Sequence, residues 1–218
     1  MYKTVVFDLD GTLLNTIDDL ADAGNRVCAA RGWPQHTVEE YKYFVGNGIP
    51  KLVERFSPPE ARTPAQLADT LAAFQADYGA HLRDKTAPYP GMPALLARLK
   101  AAGVQLAVFS NKADPLARQV VADYFDAALF DAVRGALPGV PTKPAPQGTL
   151  ALMQAIGADP AATLYVGDSN VDVDTAHNAG LPCCGVLWGF RTRQELTDAG
   201  AEHLAADAEE LWNVIVKA

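Results

Sequence analysis

Short apolar runs separated by segments with helical spacing constrain the fold of this chain more than any other feature of the sequence. In these segments apolar residues recur at every third or fourth position, as at Leu95, Leu99 and Ala102, which places them on one helix face. Strands that alternate with helices predict a parallel sheet covered on both faces. The predicted fold class is therefore α/β, with a doubly wound, mostly parallel, Rossmann-like sheet. The predicted strands are residues 4–7, 104–109, 163–166 and 183–188.

One long stretch, residues 16–84, breaks this alternation because it carries helical patterns and no convincing strand. Thr16 is predicted to cap its first helix, and Thr63 with Gln66 forms a capping-box pattern before a later one. The turn-forming segment 86–91 predicts a hinge back to the sheet. Open α/β sheets bind ligands at the carboxyl ends of their strands, so an insertion after the first strand is placed to act as a lid. The predicted domains are a catalytic core, 1–15 and 85–218, and an all-helical cap, 16–84.

The composition excludes several classes of protein. The chain has 218 residues, 49% of them hydrophobic, which is enough to bury a core. Its net charge of −8 argues against a nucleic-acid partner, for which a basic surface is expected. The sequence shows neither a membrane-spanning apolar run nor a signal-peptide core, and its three cysteines do not suggest a disulfide framework. We therefore expect a cytoplasmic protein without a membrane partner, either a monomer or a homodimer.

Two carboxylates follow the first apolar run. Asp8 comes directly after it and Asp10 lies two residues later, while Gly11 permits a turn that brings both side chains to one site. Like charges so close raise one another's pKa, and a divalent cation relieves the conflict. Magnesium prefers oxygen ligands and pairs naturally with phosphate. The sequence therefore predicts a Mg²⁺ site at this end of the sheet.

Similar groups follow the later strands. Asp168 ends the third run and Asp172 follows four residues on, Ser110 and Asn111 follow the second run, and Lys143 lies in a proline-rich loop. Acids, a hydroxyl and a lysine at strand ends suit phosphoryl transfer, because a metal and a lysine neutralise charge while the hydroxyl holds the transferring oxygens. The predicted partner is a small phosphorylated metabolite.

Each of these residues also has a structural interpretation. Ser110 and Asn111 could cap the next helix, which is compatible with phosphate binding at the same helix start. Asp168 could be an N-cap, and Asp172 could serve only as a structural partner. A lysine such as Lys143 would, on its own, be a solvated loop residue.

A glycine-rich turn in the helical segment is open to two interpretations. Gly46, Asn47 and Gly48 form this turn, and Lys51 follows it. The turn could close over the core and bind the non-phosphate end of a substrate. It could equally be an interhelical turn, with Lys51 and Arg55 on a solvated face.

Taken in order, these residues resemble the four signature motifs of the haloacid dehalogenase-like superfamily. The motifs lie at residues 7–13, 110–112, 143–144 and 167–169 with Asp172. The helical segment resembles the family's cap, and the 46–48 turn with segments 52–55 and 89–91 is similar to the phosphoglycolate phosphatase group. Asn15 departs from the pattern, since relatives commonly carry Asp there. It lies beyond the two acids assigned to chemistry, so we expect activity to survive.

The resemblance implies a magnesium-dependent phosphatase. In that mechanism Asp8 attacks phosphorus and becomes phosphorylated. Asp10 protonates the leaving oxygen and later accepts a proton from water. Asp8, the backbone carbonyl of Asp10 and Asp168 would hold the metal, and Asp172 would orient a metal-bound water.

The resemblance also assigns phosphate binding to Ser110, Asn111 and Lys143, with 2-phosphoglycolate as the leading substrate. Three other functions compete with it. A phosphomutase of the same fold would return the phosphoryl group to a sugar, and a dehalogenase would attack carbon without a metal. A receiver module would be phosphorylated on aspartate and bind a partner. Asp10 argues against the dehalogenase, and the helical insertion argues against the receiver.

Overall fold

The computed structural model describes residues 1–217, which group into two compact units. The first unit comprises Met1–Leu14 and Pro88–Ala218, and the second comprises Asn15–Ala87. The sequence places the helical segment at 16–84, so the two divisions differ by three residues or fewer at each crossing. None of the helices in residues 1–217 combines the length and the apolar character that a membrane crossing requires.

The first unit is built on a parallel sheet. In the described part of the chain it has six strands in the order β5-β4-β1-β6-β7-β8. Every pairing between neighbours is parallel, which confirms the predicted doubly wound α/β fold. The strands are β1 (Thr4–Phe7), β4 (Gln105–Ala113), β5 (Ala132–Ala136), β6 (Thr163–Gly167), β7 (Cys183–Val186) and β8 (His203–Ala205). Two further short strands, β2 (Leu14–Asn15) and β3 (Ala87–Pro88), pair with each other where the chain passes between the units.

Helices cover both faces of this sheet, as the alternating side chains require. Val5 packs into the core on one face, and Val6, its neighbour in β1, packs into the core on the other; both are fully buried. The helix α7 stops at Gly157, whose φ of 66° favours glycine. The helices of this unit are α5 (Met92–Ala101), α6 (Asp114–Tyr124), α7 (Gln147–Ile156), α8 (Asn170–Asn178), α9 (Arg193–Asp198) and α10 (Ala208–Lys217).

The register of the sheet aligns the ends of its central strands. Phe7 in β1 lies opposite Val108 in β4 and Val166 in β6. Residues that follow Phe7 and Val166 therefore emerge at the same level of the carboxyl edge, where parallel sheets bind ligands. This register brings the first and fourth motifs to one place.

The second unit is all-helical in residues 15–87, apart from the strand ends. Its helices are α1 (Ile17–Ala30), α2 (Val38–Phe44), α3 (Ile49–Phe56) and α4 (Pro64–Ala80). They pack through a chain of ring contacts that includes Tyr41, Phe44, Phe56, Phe74 and Tyr78. Thr63 caps α4 by accepting a hydrogen bond from the Gln66 N–H, which is one half of the predicted capping box, and its hydroxyl donates to Gln66 Oε1 at 2.7 Å. Thr16 lies at the N-cap of α1, as predicted, but its buried hydroxyl makes no capping hydrogen bond in the part of the chain that the structure describes.

Candidate active site

Asp8 stands one residue past the end of β1, and the local backbone fixes it there. Its N–H donates to the carbonyl of Val166 at 2.9 Å, which continues the ladder between β1 and β6 by one residue. Its Oδ1 accepts the N–H of Leu9 at 2.7 Å. The chain then turns through Gly11, whose φ is 86°. Asp8 is thus held, nearly buried, at the carboxyl edge of the sheet.

Three carboxylates converge at this edge. Oxygens of Asp8, Asp168 and Asp172 all lie within 4.8 Å of one another, and all three residues are buried. The Lys143 ammonium lies 2.9 Å from Asp8 Oδ1 and 2.7 Å from Asp172 Oδ1. The structure therefore brings together four of the predicted site residues, although they come from three separate parts of the sequence.

The charges in this cluster do not balance. Three carboxylates face one ammonium group, which leaves two negative charges in a buried place. Burial raises the pKa of Asp8 well above its ordinary value, and the charges of Asp172 and Asp168 raise it further. Together these effects outweigh that of Lys143, which lowers the pKa. Burial and the Asp172 charge raise the pKa of Asp168 to about 7. Burial alone would lower the pKa of Lys143, but the charges of Asp172 and Asp8 raise it well above its ordinary value. Carboxylate oxygens in excess of their lysine are a donor set that suits one divalent cation such as Mg²⁺.

The backbone at Gly11 and Gly189 lies in close contact with the Asp168 side chain. It accepts hydrogen bonds from Thr12 Oγ1 at 3.2 Å and from the N–H of Phe190 at 2.8 Å. A Cβ atom on Gly11 or on Gly189 would overlap the Asp168 side chain. Only glycine at these two positions leaves room for the carboxylate, so its orientation is set by its surroundings.

Trp188 ties the segment after β7 to the loop after β1. Its indole Nε1 donates to the carbonyl of Thr12 at 3.0 Å, and its ring lies 6.3 Å from that of Tyr89, centroid to centroid. The strand predicted over 183–188 includes Trp188, but β7 ends at Val186. The segment 188–190 instead surrounds Asp168. It contacts Asp168 through backbone atoms of Gly189 and Phe190, so no side-chain type in the sequence indicates this contact.

Asp172 has both a structural and an electrostatic place. Its Oδ2 accepts from the Ser169 N–H at 3.1 Å and from Ser169 Oγ at 2.7 Å, while Oδ1 accepts from Lys143. Ser169 occupies the N-cap of α8, so the N-cap interpretation of Asp168 is wrong. A Cβ on Gly167 would overlap Asp172, and this glycine lets the start of α8 pack tightly against β6.

The second motif lies inside a strand. β4 runs to Ala113, beyond the predicted end at residue 109, and its register with β5 shifts between Phe109 and Ala113. The N-cap of α6 is Ala113, so the interpretation of Ser110 and Asn111 as caps is wrong. Ser110 is buried, and its Oγ accepts the Lys112 N–H at 3.2 Å.

Asn111 holds the backbone of Lys143. Its Oδ1 accepts the Lys143 N–H at 2.8 Å, and its Nδ2 donates to the Lys143 carbonyl at 3.2 Å. These two bonds join the end of β4 to the proline-rich loop across a gap of 32 residues in sequence. They place the lysine ammonium beside Asp8.

Lys112 is a buried residue of the site. It belongs to the second motif, residues 110–112, but is not among the predicted site residues. Its Nζ lies 2.9 Å from Asp10 Oδ1 and 3.2 Å from Asp10 Oδ2. The Lys112 side chain is 3% exposed and that of Asp10 14%. A charged residue at the end of an apolar strand was the available signal, and the same signal selected Asp8.

Within the helical unit, the 46–48 turn is held by Arg55. The Arg55 guanidinium donates to Asn47 Oδ1 at 2.7 Å and to the Phe44 carbonyl at 2.8 Å. Gly46 and Gly48 both have positive φ, 116° and 83°. Lys51 lies on the exposed face of α3 and pairs with Glu54 at 2.8 Å. Arg55 therefore orders the turn, and Lys51 projects from a solvated face.

Comparison with known proteins identifies the family. The family model described as haloacid dehalogenase-like hydrolase matches residues 5–186. The chain belongs to this family. A phosphoglycolate phosphatase from Thiobacillus denitrificans is 34% identical to this hydrolase, over 99% of this chain and 96% of the relative.

Solved structures agree with that assignment. The crystal structure of a candidate phosphoglycolate phosphatase from Lactobacillus delbrueckii subsp. bulgaricus matches this hydrolase with a TM-score of 0.92 at 33% identity, covering 98% of each chain. CbbY from Rhodobacter sphaeroides, solved in complex with phosphate, has a TM-score of 0.79 at 27% identity and covers 97% of this chain and 96% of its own. The family and its relatives place this chain among the phosphatases.

Proposed function

We propose that this haloacid dehalogenase-like hydrolase is a magnesium-dependent phosphatase that cleaves small phosphate monoesters through a phosphorylated Asp8. The observation that carries the proposal is the contact between the buried Asp8 carboxylate and the Lys143 ammonium. This contact lies within a cluster of three carboxylates, those of Asp8, Asp168 and Asp172. A carboxylate fixed at the carboxyl edge of a parallel sheet can attack a phosphorus atom bound there.

The residues of the acidic cluster fit a divalent cation. Asp8, Asp168 and the backbone carbonyl of Asp10 would hold Mg²⁺, with Asp172 orienting a water bound to it. When bound, the cation supplies positive charge to the phosphoryl oxygens and offsets the acids around it. The raised pKa values of Asp8 and Asp168 support this assignment, because burial and the neighbouring acids disfavour the ionised carboxylates and a cation would stabilise them.

Asp8 and Asp10 share the bond-making steps. A carboxylate oxygen of Asp8 forms a bond to phosphorus as the bond from phosphorus to the ester oxygen breaks. The ester oxygen keeps that electron pair and takes a proton from Asp10, so an alcohol leaves. A water oxygen then bonds to the phosphorus of the aspartyl phosphate as the bond from phosphorus to the Asp8 oxygen breaks, and the water gives a proton to Asp10. Phosphate departs, and both carboxylates return to their starting forms.

Lys143 and Ser110 would bind the phosphoryl group. The ammonium of Lys143 already contacts Asp8, so it lies where the charge of the transferring group develops. Ser110 offers a buried hydroxyl at the end of β4. Asn111, assigned to phosphate binding from the resemblance, contributes by holding the Lys143 backbone.

The 46–48 turn would recognise the non-phosphate end of the substrate. Its support is the ordering of Gly46, Asn47 and Gly48 by Arg55, which presents a defined backbone at a loop tip. Lys51 would add a positive charge for a carboxylate. Exchange of Lys51 with Met should then raise the KM for 2-phosphoglycolate more than the KM for p-nitrophenyl phosphate.

The substrate we propose first is 2-phosphoglycolate, because phosphoglycolate phosphatases match nearly the whole chain. Sugar phosphates form a second candidate class, since a variant of CbbY, 26% identical, was solved with xylulose 1,5-bisphosphate. A phosphomutase of the same fold remains the alternative activity. Free phosphate as the product would support the hydrolase, and an isomerised sugar phosphate would support the mutase.

The deciding experiment combines one variant with a panel of esters. Wild-type protein should release phosphate from 2-phosphoglycolate in Mg²⁺ and lose that activity in excess chelator. Asp8→Asn should remain folded, because it keeps the side-chain volume and the Leu9 N–H contact, yet lose turnover completely. Undiminished turnover by Asp8→Asn would refute the covalent mechanism, and a preference for sugar phosphates would refute the substrate alone.

A further inference from the structure

Two buried lysines lie beside the acids of this site, and their partners differ. Lys143 lies among the carboxylates that would hold the metal. Lys112 instead grips Asp10 with contacts of 2.9 and 3.2 Å to its two oxygens. We propose that Lys112 is a positioning residue, which fixes the Asp10 carboxylate for proton transfer to the leaving oxygen and from the attacking water. This inference rests on the proposed function.

The Lys112 backbone is fixed by a contact within its own strand and by one with the neighbouring strand. Its N–H donates to Ser110 Oγ at 3.2 Å. A Cβ on Gly135, in the neighbouring strand β5, would overlap the Lys112 carbonyl, so the two backbones lie in close contact. Asp114 accepts the Gly135 N–H at 2.8 Å and holds that contact. The sheet therefore fixes the backbone from which the Lys112 side chain extends.

Asp10 needs such an anchor because it lies past the strand end. It follows Asp8 by two residues, in the turn region that precedes β2. A carboxylate that must meet an ester oxygen at hydrogen-bond distance loses effectiveness when its side chain can rotate away. A two-oxygen contact to a rigid ammonium restricts that rotation.

The proposal predicts different effects on the two halves of the reaction. With an alkyl ester such as 2-phosphoglycolate, bond cleavage to phosphorus needs a proton from Asp10. With p-nitrophenyl phosphate, nitrophenolate leaves without one. The ratio kcat/KM reports steps up to departure of the leaving group, whereas kcat for the aryl ester also reports hydrolysis of the phosphorylated Asp8, for which Asp10 is the base.

The test is the kinetics of Lys112→Met, which keeps the length of the side chain and removes its charge. For 2-phosphoglycolate, kcat/KM should fall by about tenfold or more, as misplacement of a general acid predicts. For p-nitrophenyl phosphate, kcat/KM should stay within about threefold, while kcat and KM fall together and a burst of nitrophenolate precedes the steady state. The ratio of the two kcat/KM values does not depend on the fraction of protein that is folded.

A matched control is Lys100→Met. Lys100 lies in α5, and its ammonium forms an ion pair of 2.8 Å with Asp131, apart from the acidic cluster. This control should leave kcat/KM unchanged for 2-phosphoglycolate and for p-nitrophenyl phosphate. An equal loss of kcat/KM for the two esters would overturn the positioning role, as would a change of less than about twofold in every parameter or a gain in turnover. Wild-type protein that hydrolyses neither ester would refute the proposed function and this inference with it. Hydrolysis of the aryl ester alone would refute the choice of substrate, and the burst with p-nitrophenyl phosphate would still decide the role of Lys112.

Discussion

The Lys143 ammonium and the Asp8 carboxylate lie 2.9 Å apart, with both side chains nearly excluded from solvent. The same ammonium lies 2.7 Å from Asp172, so one lysine compensates two buried acids. Breaking a buried ion pair by removing one partner is costly, because the remaining charge stays in a place that disfavours it. Lys143 is therefore expected to stabilise the fold as well as to bind phosphate.

The first prediction concerns Lys143→Met. In chelator, its free energy of unfolding should be lower than that of wild type by about 3 kcal/mol, because Asp8 and Asp172 lose their shared partner. Urea unfolding followed by circular dichroism measures the difference. Lys85→Met is the matched control, since it breaks a largely exposed pair between Lys85 and Asp22 in the helical unit. The control should lose much less stability than Lys143→Met, because water screens an exposed pair. Equal losses in the two variants would show that Lys143 has no special role in stability.

The second prediction concerns Asp168→Asn and pH. In the unfolded chain Asp168 loses its proton near its ordinary pKa of 3.8, whereas in the folded chain its pKa is about 7. Between these values Asp168 binds more protons in the folded state, so its own contribution to the stability of metal-free wild type falls as pH rises from about 4 to about 7. Asparagine does not titrate. The variant should therefore be more stable than wild type at pH 8, by up to about 4 kcal/mol, and little different at pH 4.

Thermal unfolding of both proteins in chelator, across this pH range, tests that prediction. Asp174→Asn is the matched control, because it makes the same chemical change at an exposed position of α8. Its difference from wild type should not grow between pH 4 and pH 8. Mg²⁺ should raise the unfolding temperature of wild type and not that of Asp168→Asn. A difference that shrinks with rising pH would have the wrong sign and refute the assignment.

The sequence was sufficient for the central strands and insufficient for the edges of the sheet. β1, β4, β6 and β7 carry continuous apolar runs because they are buried on both faces. Strands β5 and β8 were not predicted. They lie at the two edges of the sheet and bury few side chains, so neither contains an apolar run. The end of β4 was placed too early because its last residues are polar and serve the site.

The acids of the site could be predicted because they follow apolar strands, which selected Asp8 and Asp168. Lys143 was selected by its proline-rich loop and its place among the motifs, and the structure brings it to Asp8. It could not find the enclosure of Asp168 by Gly189 and Phe190. That enclosure depends on backbone contacts between distant segments, and such contacts require a known register. Sequence spacing alone carries no information about them.

The third prediction concerns Asp19, which is buried in the helical unit. Its carboxylate accepts hydrogen bonds from the Lys85 N–H at 2.9 Å, from the Thr86 N–H at 2.8 Å and from Thr86 Oγ1 at 2.7 Å. Asp19→Ala leaves buried donors without a partner and should lower the free energy of unfolding by about 3 kcal/mol. Asp22→Ala, on the same helix and partly exposed, should cost less than about 1 kcal/mol. Denaturant titration of both variants measures the difference, and comparable losses would refute a specific role for Asp19.

The fourth prediction compares two exchanges of glycine with alanine. A Cβ on Gly189 would overlap Asp168 and lie 2.6 Å from the Gly11 carbonyl, so Gly189→Ala must displace the segment that holds Asp168. We expect a loss of about 1–3 kcal/mol in stability, because backbone and side chain must shift to relieve the overlap. Mg²⁺ should also raise its unfolding temperature less than it raises that of wild type. Gly79, inside α4, has open space around its Cβ position, so Gly79→Ala should stabilise the protein by about 0.5–1 kcal/mol. Calorimetry of the three proteins with and without Mg²⁺ separates the two effects. An unchanged response to Mg²⁺ in Gly189→Ala would show that the enclosure of Asp168 is unnecessary for metal binding.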